Sequence, residues 1–265
     1  MTFYFSKILD EGTSNPIVAR IGSQLRELLQ LCRMDQKKKD DLNFIFHEMM
    51  KSILAADNHA TPLIEELKSI EDDPAKHGLC LEKNKFSIPS SLKLDNIKVF
   101  LKYANENLKL LVQALAIFFE KGWTEAKFEP ILDYVEKEQS RLDETWLLGT
   151  LLKSNLNWFA DILELRNVDE HKFYKRQKKK ALIENYTLSN INGHLTLVHP
   201  MLCNGMNAHL FLLDANRRLF VLSEEIIVST IALFLPKPVS ICEIPEKERR
   251  EDYPKRFKHC LGFVS

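Results

Sequence analysis

One long apolar segment constrains the fold of this chain more than any other feature. The stretch from Asp95 to Gly122 reads DNIKVFLKYANENLKLLVQALAIFFEKG. Apolar residues recur in it at alternating spacings of four and three, which is the pattern of one face of an α-helix. These residues are Ile97, Leu101, Ala104, Leu108, Leu111, Leu115 and Phe118. Further apolar residues fill most of the opposite side, so the segment predicts a helix that is buried at the centre of a helical core.

Both ends of this helix are also marked in the sequence. Asp95 is a candidate N-cap, and Lys121 followed by Gly122 is typical of a helix C-terminus. The chain has only 8 Gly among its 265 residues. Because Gly destabilises helix interiors, this scarcity favours a fold that is rich in long helices.

More helices are expected before the central one. Asn15-Pro16 opens the first of them, since the missing N–H of a proline costs nothing at the first helical position. A second helix is predicted over about Lys38 to Ala56. Thr61-Pro62 then repeats the proline signal and predicts a short third helix that ends near Ile70. Turn-forming residues predict a long loop over 71–91.

The segment after the central helix also reads as helical. We expect a turn at Thr124–Phe128 and a helix from Pro130 to about Leu142, because a proline inside a helix would remove a hydrogen bond. Asp143 is the candidate cap of the next helix. Asp169 is expected to start a last, highly charged helix that reaches about Glu184.

The pattern changes after Asn185, where short apolar runs alternate with turn residues. Asn192-Gly193 is a preferred tight-turn pair, so Tyr186–Asn190 and His194–His199 predict a first hairpin. The other predicted elements are a second hairpin from Ala208–Leu213 and Arg218–Leu222, a helix at Ile226–Phe234, a strand at Val239–Ile244 and a charged helix at Pro245–His259. We therefore predict an α+β fold that is predominantly α-helical. Residues 1–184 form a helical bundle, and residues 185–265 form a small α+β segment with two β-hairpins that packs on it.

Composition narrows the functional classes. The formal net charge is zero, which does not suit a dedicated nucleic-acid binder. The N-terminus lacks a secretory pattern, and the longest nearly apolar run is far shorter than the roughly 18 residues of a membrane span. The five cysteines are widely spaced and include no C-x-x-C pair. These features favour reduced thiols and an intracellular location, in the cytoplasm or the nucleus.

The most distinct local signal is a basic segment at residues 172–180, in which six of nine residues are basic. These residues are Lys172, Lys175, Arg176, Lys178, Lys179 and Lys180. Such a segment could bind phosphates on nucleic acid or on an anionic membrane. The alternative is a solvated helix that links the two parts of the chain.

A second signal allows a papain-like cysteine hydrolase or transferase. In such enzymes the catalytic His often begins a strand, and its polar partner follows about one hairpin later. His209 begins the strand-like run HLFLLD, and Glu224 or Asp214 would orient it. Cys80 would be the nucleophile, because it is the only upstream cysteine in a loop-like context. Cys32 lies on an apolar helix face and is expected to be in the core.

The sequence gives little support to a metal or a cofactor. His199, Cys203 and His209 could share a metal, but structural zinc sites usually show paired close spacings that are absent here. A phosphate-binding Gly-rich loop, G-x-S-x-G, H-E-x-x-H and an EF-hand loop are all missing. We therefore expect neither a metal nor a cofactor. The leading hypothesis is a non-catalytic interaction or adaptor protein that binds another protein in a complex.

The phosphate-binding interpretation of the basic segment makes a direct prediction. Binding to nucleic acid or to anionic vesicles should weaken steeply as salt rises, because bound counterions are released. Neutralising Lys178, Lys179 and Lys180 together should weaken it as well. Equilibrium binding at several salt concentrations measures both effects, and an affinity independent of salt would contradict the interpretation.

Overall fold

Long α-helices make up most of the computed structural model, which describes residues 12, 14–74, 76, 93–138, 145–170, 181–191, 194–249 and 258–263. A π-helix (Val18–Gln24) continues into the short helix α1 (Leu25–Gln30). The other helices are α2 (Gln36–Asp72), α3 (Asn96–Phe119), α4 (Glu129–Glu138), α5 (Thr145–Glu170) and α6 (Ala208–Leu233). Within the described part of the chain, no helix combines the length and the apolarity needed to cross a membrane.

Strands occur after residue 182 in the described residues, and they form three two-stranded antiparallel sheets. The pairs are β1 (Ile183–Glu184) with β4 (Met201–Leu202), β2 (Thr187–Ile191) with β3 (His194–Val198), and β5 (Val239–Glu243) with β6 (His259–Phe263). A 3-10 turn at Glu246–Glu248 lies between the last two strands. The predicted fold class is confirmed: the chain is predominantly helical, with small antiparallel β-structure toward its C-terminus.

The central helix predicted from the apolar pattern is α3. All seven residues of its predicted apolar face are buried, with at most 3% of their surface exposed. Phe100 and Val112 on another side are buried as well, whereas Lys102 and Lys109 are exposed. The helix is therefore enclosed on most of its circumference, as the sequence predicts.

The chain divides into two compact units. The first unit comprises Met1–Lys51, Lys109–Asn155 and Leu222–Ser265, and the second comprises Ser52–Leu108 and Leu156–Val221. Helices α2, α3, α5 and α6 each contribute residues to both units. The predicted boundary between residues 184 and 185 stays a prediction.

The prediction of a helix break at Thr61-Pro62 is wrong, because α2 runs without interruption from Gln36 to Asp72 with Pro62 inside it. An interior proline costs about 3 kcal/mol through its lost hydrogen bond and its clash with the preceding turn. The apolar stripe nevertheless keeps its spacing of three and four through the proline. Its members are Ile53, Ala56, Ala60, Leu63, Leu67 and Ile70, and all are buried. Burying several such side chains at about 1.5–3 kcal/mol each outweighs the local cost.

The second predicted hairpin is also wrong. Ala208–Leu213 and Arg218–Leu222 belong to the single helix α6, which also takes in most of the predicted helix at Ile226–Phe234. The buried residues of α6 recur at helical spacing, but over a few residues this pattern looks the same as the alternating pattern of a strand. They are Ala208, Phe211, Leu212, Ala215, Leu219, Leu222 and Ile226. The Asp214–Arg218 ion pair spans four residues, as expected on one helix face.

The first predicted hairpin is confirmed. Its two strands pair in antiparallel register from Thr187↔Val198 to Ile191↔His194. Asn192-Gly193 lies between the strands and outside the described residues. The helix opening at Pro16 and the strand near Val239 are confirmed as well.

Two predicted charged helices differ from the structure. Asp169 does not start a helix but lies within α5, and Ile183–Glu184 form strand β1. His259 does not end a helix but starts strand β6. The intervening residues 171–180 and 250–257 lie outside the described residues, so only the ends of these predictions can be compared.

Helix α3 ends two residues earlier than Gly122 suggested. Glu120 adopts a left-handed conformation with φ of 54°. The N–H of Lys121 donates to the carbonyl of Ala116 at 2.9 Å, and that of Glu120 donates to Ile117 at 3.4 Å. This is the Schellman arrangement, in which glycine is the usual left-handed residue.

Replacing this left-handed residue by glycine should stabilise the protein. We expect Glu120→Gly to raise the free energy of unfolding by about 1 kcal/mol, since a Cβ is disfavoured at positive φ. The corresponding rise in Tm is roughly 2–4 °C. Glu120→Ala is the control, because it removes the same carboxylate but keeps the Cβ. Thermal unfolding of both variants measures the difference, and equal Tm values would contradict the prediction.

Candidate functional site

A pocket in the first unit is the candidate functional site. Its volume is about 380 Å³, and three separate segments line it. The lining residues come from the end of α3, from α4 and from the end of α6: Phe118, Phe119, Glu120, Tyr134, Val135, Glu138, Leu233 and Phe234. Half of these residues are aromatic, and within the described part of the chain the charged residues of the lining are the two glutamates.

The aromatic rings around the pocket pack against one another at steep angles. Phe119 lies 5.5 Å from Tyr134 and 6.0 Å from Phe234, with interplanar angles of 63° and 57°. Phe118 packs on Phe234 at 5.3 Å. Trp123 supports the cluster from outside the lining, with its ring 5.6 Å from that of Tyr134. These tilted contacts are the favoured geometry of aromatic pairs, so the rings form fixed walls.

Local structure holds these rings in place. The left-handed Glu120 turns the chain after α3, which lets Trp123 in the following loop pack against Phe119. On α4, Tyr134 and Glu138 lie four residues apart and therefore on one helix face. The carbonyl of Phe234 accepts a hydrogen bond from the N–H of Arg33 at 3.0 Å, which fixes the chain just after α6.

Two lysines of the chain interact with the pocket lining. The Lys38 ammonium forms an ion pair with Glu120. The Lys121 Nζ lies 4.5 Å from the centroid of the Tyr134 ring, within the range of a cation–π interaction. A carboxylate and an aromatic ring of the lining thus each hold a positive charge.

A buried ion-pair network forms a second polar feature of the first unit. Glu224 on α6 is completely buried and accepts hydrogen bonds from Arg20, whose Nε lies 2.7 Å from Oε1. The imidazole Nδ1 of His259 lies 3.6 Å from the same oxygen, which is longer than an ordinary hydrogen bond. Gln24 donates to the backbone carbonyl of His259 at 2.8 Å. The network joins the π-helix, α6 and β6.

Burial alone would raise the pKa of the Glu224 carboxyl. The His259 imidazole and the Arg20 guanidinium outweigh it, so the pKa lies below its ordinary value. Glu224 is therefore ionised at neutral pH and engaged by Arg20. This arrangement is typical of a structural ion pair.

A third polar cluster lies in the second unit. Glu71, near the end of α2, accepts a hydrogen bond from His209 with 2.7 Å between Oε2 and Nδ1. His199 Nδ1 lies 3.7 Å from the other oxygen of the same carboxylate. Tyr186 packs edge-on against the His199 ring at 5.6 Å. Burial raises the pKa of the Tyr186 hydroxyl, and the charges of Glu71 and Glu66 act in the same direction, so it stays protonated.

The structure gives the predicted catalytic residues a different setting. His209 lies in the first turn of α6 and does not begin a strand, which corrects the local context expected for a papain-like histidine. The structure pairs His209 with Glu71 and Glu224 with Arg20. Cys80 lies outside the described residues, as does the basic segment at 172–180.

Some of the residues predicted to act as a nucleophile or to bind a metal lie within the described part of the chain. Cys32 is buried as expected, and burial raises the pKa of its thiol to about 11, so it is not a nucleophile at neutral pH. His199 and His209 both approach Glu71, whereas the N–H of Cys203 donates to the carbonyl of Leu182. In the part of the chain that the structure describes, no group of three His, Cys, Asp or Glu residues could hold a metal ion.

Sequence reasoning missed the pocket. Phe118 and Phe119 were assigned only to the two sides of the central helix, and Tyr134 and Phe234 carried no functional signal. The one available indication was general: exposed aromatic residues on helices can mark a partner groove. Comparison with models of protein families, with characterised proteins and with solved structures gave no match.

Removing the charge of Glu224 should destabilise the protein strongly. Glu224→Gln takes the buried carboxylate away from the Arg20 guanidinium, whose side chain is only 13% exposed, and we expect a loss of about 3 kcal/mol at pH 7. Because folding lowers the pKa of Glu224, its contribution is present above the unfolded pKa of about 4.3 and is lost as pH falls through the lower folded pKa. The difference from wild type should therefore shrink in acid.

The neighbouring residue provides the matched control. Glu225 forms an ion pair with Lys258, but 23% of its side chain is exposed. Glu225→Gln should cost less than about 1 kcal/mol. Denaturant unfolding of both variants at several pH values tests the comparison. Equal losses of unfolding free energy would show that the Arg20–Glu224 pair stabilises the protein no more than the partly exposed Glu225–Lys258 pair.

Proposed function

We propose that this protein is a non-catalytic interaction module that binds another protein in a macromolecular complex. The observation that carries the proposal is the aromatic pocket formed by Phe118, Phe119, Tyr134 and Phe234. Aromatic anchors held in fixed orientations are the usual centres of protein-binding sites. We infer that this pocket is where the protein holds its partner.

The chemistry of the lining supports binding over catalysis. Among the described residues, the lining contains no Ser, Thr, Cys, His or Lys, which supply most nucleophiles and many general bases. Its polar groups are two carboxylates and the Tyr134 hydroxyl. Glu120 already forms an ion pair with Lys38. A site of this kind provides shape and apolar contact.

The polar clusters elsewhere support the same interpretation. The carboxylate of Glu224 is ionised and held by Arg20, and that of Glu71 is held by His209. Each pair joins segments that are distant in sequence, which is a stabilising role. The alternative of a cysteine hydrolase that uses Cys80 and His209 has no specific observation in its favour. Phosphate binding by residues 172–180 stays a separate prediction.

Affinity capture with a pocket variant tests the proposal. Tyr134→Leu keeps an apolar side chain in the lining but removes one aromatic wall. We expect the immobilised variant to retain at least tenfold less of the partner than wild type, since truncation of an aromatic anchor typically costs about 2 kcal/mol. Quantitative mass spectrometry of the captured proteins measures this ratio.

Tyr103 supplies the matched control. It is a half-buried tyrosine of α3 that lies outside the pocket lining and has a lysine, Lys102, 5.5 Å from its ring. Tyr103→Leu should retain the partner at the wild-type level. Two results would count against the proposal: equal capture by Tyr134→Leu and wild type, or a turnover activity that disappears with a single pocket substitution.

A further inference from the structure

Two cysteines lie directly opposite each other in the sheet formed by β5 and β6. The strands pair in antiparallel register, and in that register Cys242 is the partner of Cys260. The two residues are eighteen positions apart in the sequence, a spacing that carries no signal by itself. The fold therefore brings together two thiols that the sequence leaves unconnected.

The register also determines the distance between the two cysteines. The N–H of Ile244 donates to the carbonyl of Lys258 at 2.8 Å, which makes these two residues a hydrogen-bonded pair. Such pairs alternate along an antiparallel ladder, so Cys242 and Cys260 form the next one, with Cα atoms about 5.5 Å apart. Disulfides most often join Cα atoms roughly 5.5–6 Å apart. The two backbones are therefore already at the separation that a disulfide requires.

Both thiols are accessible to small molecules. Cys242 and Cys260 are exposed, whereas Cys32 is buried. Side chains alternate between the two faces of a strand, so His259, which is buried, lies on the opposite face from Cys260. A soluble oxidant or reductant can therefore reach the cysteine pair of this sheet.

The neighbours of the pair on the same face are small. Ser240 and Gly262 are the next residues on that face, and they are partners in the register. Cys242 Sγ lies 3.9 Å from Ser240 Oγ, and a Cβ on Gly262 would come within 2.6 Å of the same sulfur. A thiol is a weak hydrogen-bonding group, so the serine holds this sulfur only loosely. The reduced Cys242 side chain thus has both a resting position over Gly262 and freedom to leave it by turning between staggered rotamers.

We propose that Cys242 and Cys260 are a reversible oxidation site, which forms an intramolecular disulfide by exchange with a small-molecule disulfide. One cysteine thiolate attacks a sulfur of the small disulfide, forms a mixed disulfide and releases one small thiol. The second cysteine thiolate attacks the protein sulfur of the mixed disulfide and releases the other small thiol. The protein loses two electrons and two protons, and the small disulfide takes up both to become two thiols.

The geometry favours a bond that is easily reduced again. The Cβ atoms of directly opposed residues lie about 5 Å apart, which is more than the roughly 3.5–4.5 Å of a relaxed disulfide. Closing the bond therefore draws the strands together locally, and such deviations make a disulfide more reducible. An excess of the small thiol reverses the exchange.

The disulfide also has a structural consequence. Gln24 already holds β6 by donating to the carbonyl of His259 at 2.8 Å. A bond from Cys242 to Cys260 joins β5 covalently to this anchored strand and restricts the unfolded chain. Oxidation is therefore expected to stabilise the protein, and reduction to remove that stabilisation.

Equilibration of the full chain with glutathione tests the proposal. Reduced protein is incubated with oxidised glutathione, the remaining thiols are alkylated after an acid quench, and mass spectrometry of the peptides quantifies every cysteine pairing. We expect the Cys242–Cys260 link to be at least about tenfold more abundant than any other pairing. The oxidised protein should have a Tm higher by about 4 °C or more than the reduced protein.

Two serine variants locate the reaction. Cys260→Ser lacks the second thiol, so it should accumulate the mixed disulfide of glutathione on Cys242 to a level about tenfold above that of wild type. It should also show no rise in Tm on oxidation. Cys203→Ser is the matched control and should form the Cys242–Cys260 link as wild type does. Circular dichroism confirms that each variant is folded.

The same reaction in guanidinium chloride separates the effect of the fold from that of the sequence. In the unfolded chain the preference for the Cys242–Cys260 link over the Cys203–Cys242 link should fall to about threefold, the ratio that the shorter intervening segment gives. A preference that does not change on unfolding would overturn the proposal, because sheet register would then have no part in it. Persistent mixed disulfides on both Cys242 and Cys260 of the native wild type would overturn it as well.

Discussion

The burial of α3 is the constraint on which the rest of the structure depends. A helix that exposes little more than Lys102, Lys109 and Gln113 needs apolar surface around most of its circumference. The chain supplies that surface mainly from helices with stripes of spacing three and four. The stripe of α2 continues through Pro62, which shows that the enclosing helices respond to the apolar pattern more than to a local breaker.

The same constraint explains which elements could be predicted from the sequence. Every residue of the apolar face that periodicity predicted for α3 is buried, because seven regularly spaced residues leave no competing strand interpretation. It failed at Ala208–Leu222, where the run HLFLLD is too short to separate a period of two from one of 3.6. A longer window from Ala208 to Ile226 contains the helical stripe. The proline rule failed at Pro62 for a related reason. The rule considers only the local cost of the proline, whereas the buried apolar residues before and after it favour a continuous helix.

The candidate site could not be predicted, because it joins residues that are far apart in sequence. The pocket combines Phe118 and Phe119 with Tyr134 and with Phe234, about one hundred residues further along. The Arg20–Glu224 pair spans 204 residues. No spacing rule connects such positions. His209 and Glu224 were noticed in the sequence, but the partners that define their roles, Glu71 and Arg20, carried no signal.

Glu120 links the architecture of the fold to the pocket. A glutamate with φ of 54° is less stable there than a glycine would be, although Gly122 stands only two residues later. Shifting the end of α3 to that glycine would relieve the strain, but it would also remove the carboxylate from the wall of the pocket. Strained backbone that persists beside a cavity is more easily understood if the side chain it positions has a use. The conformation of Glu120 therefore supports the proposal that the pocket is a binding site, independently of the aromatic residues that form its walls.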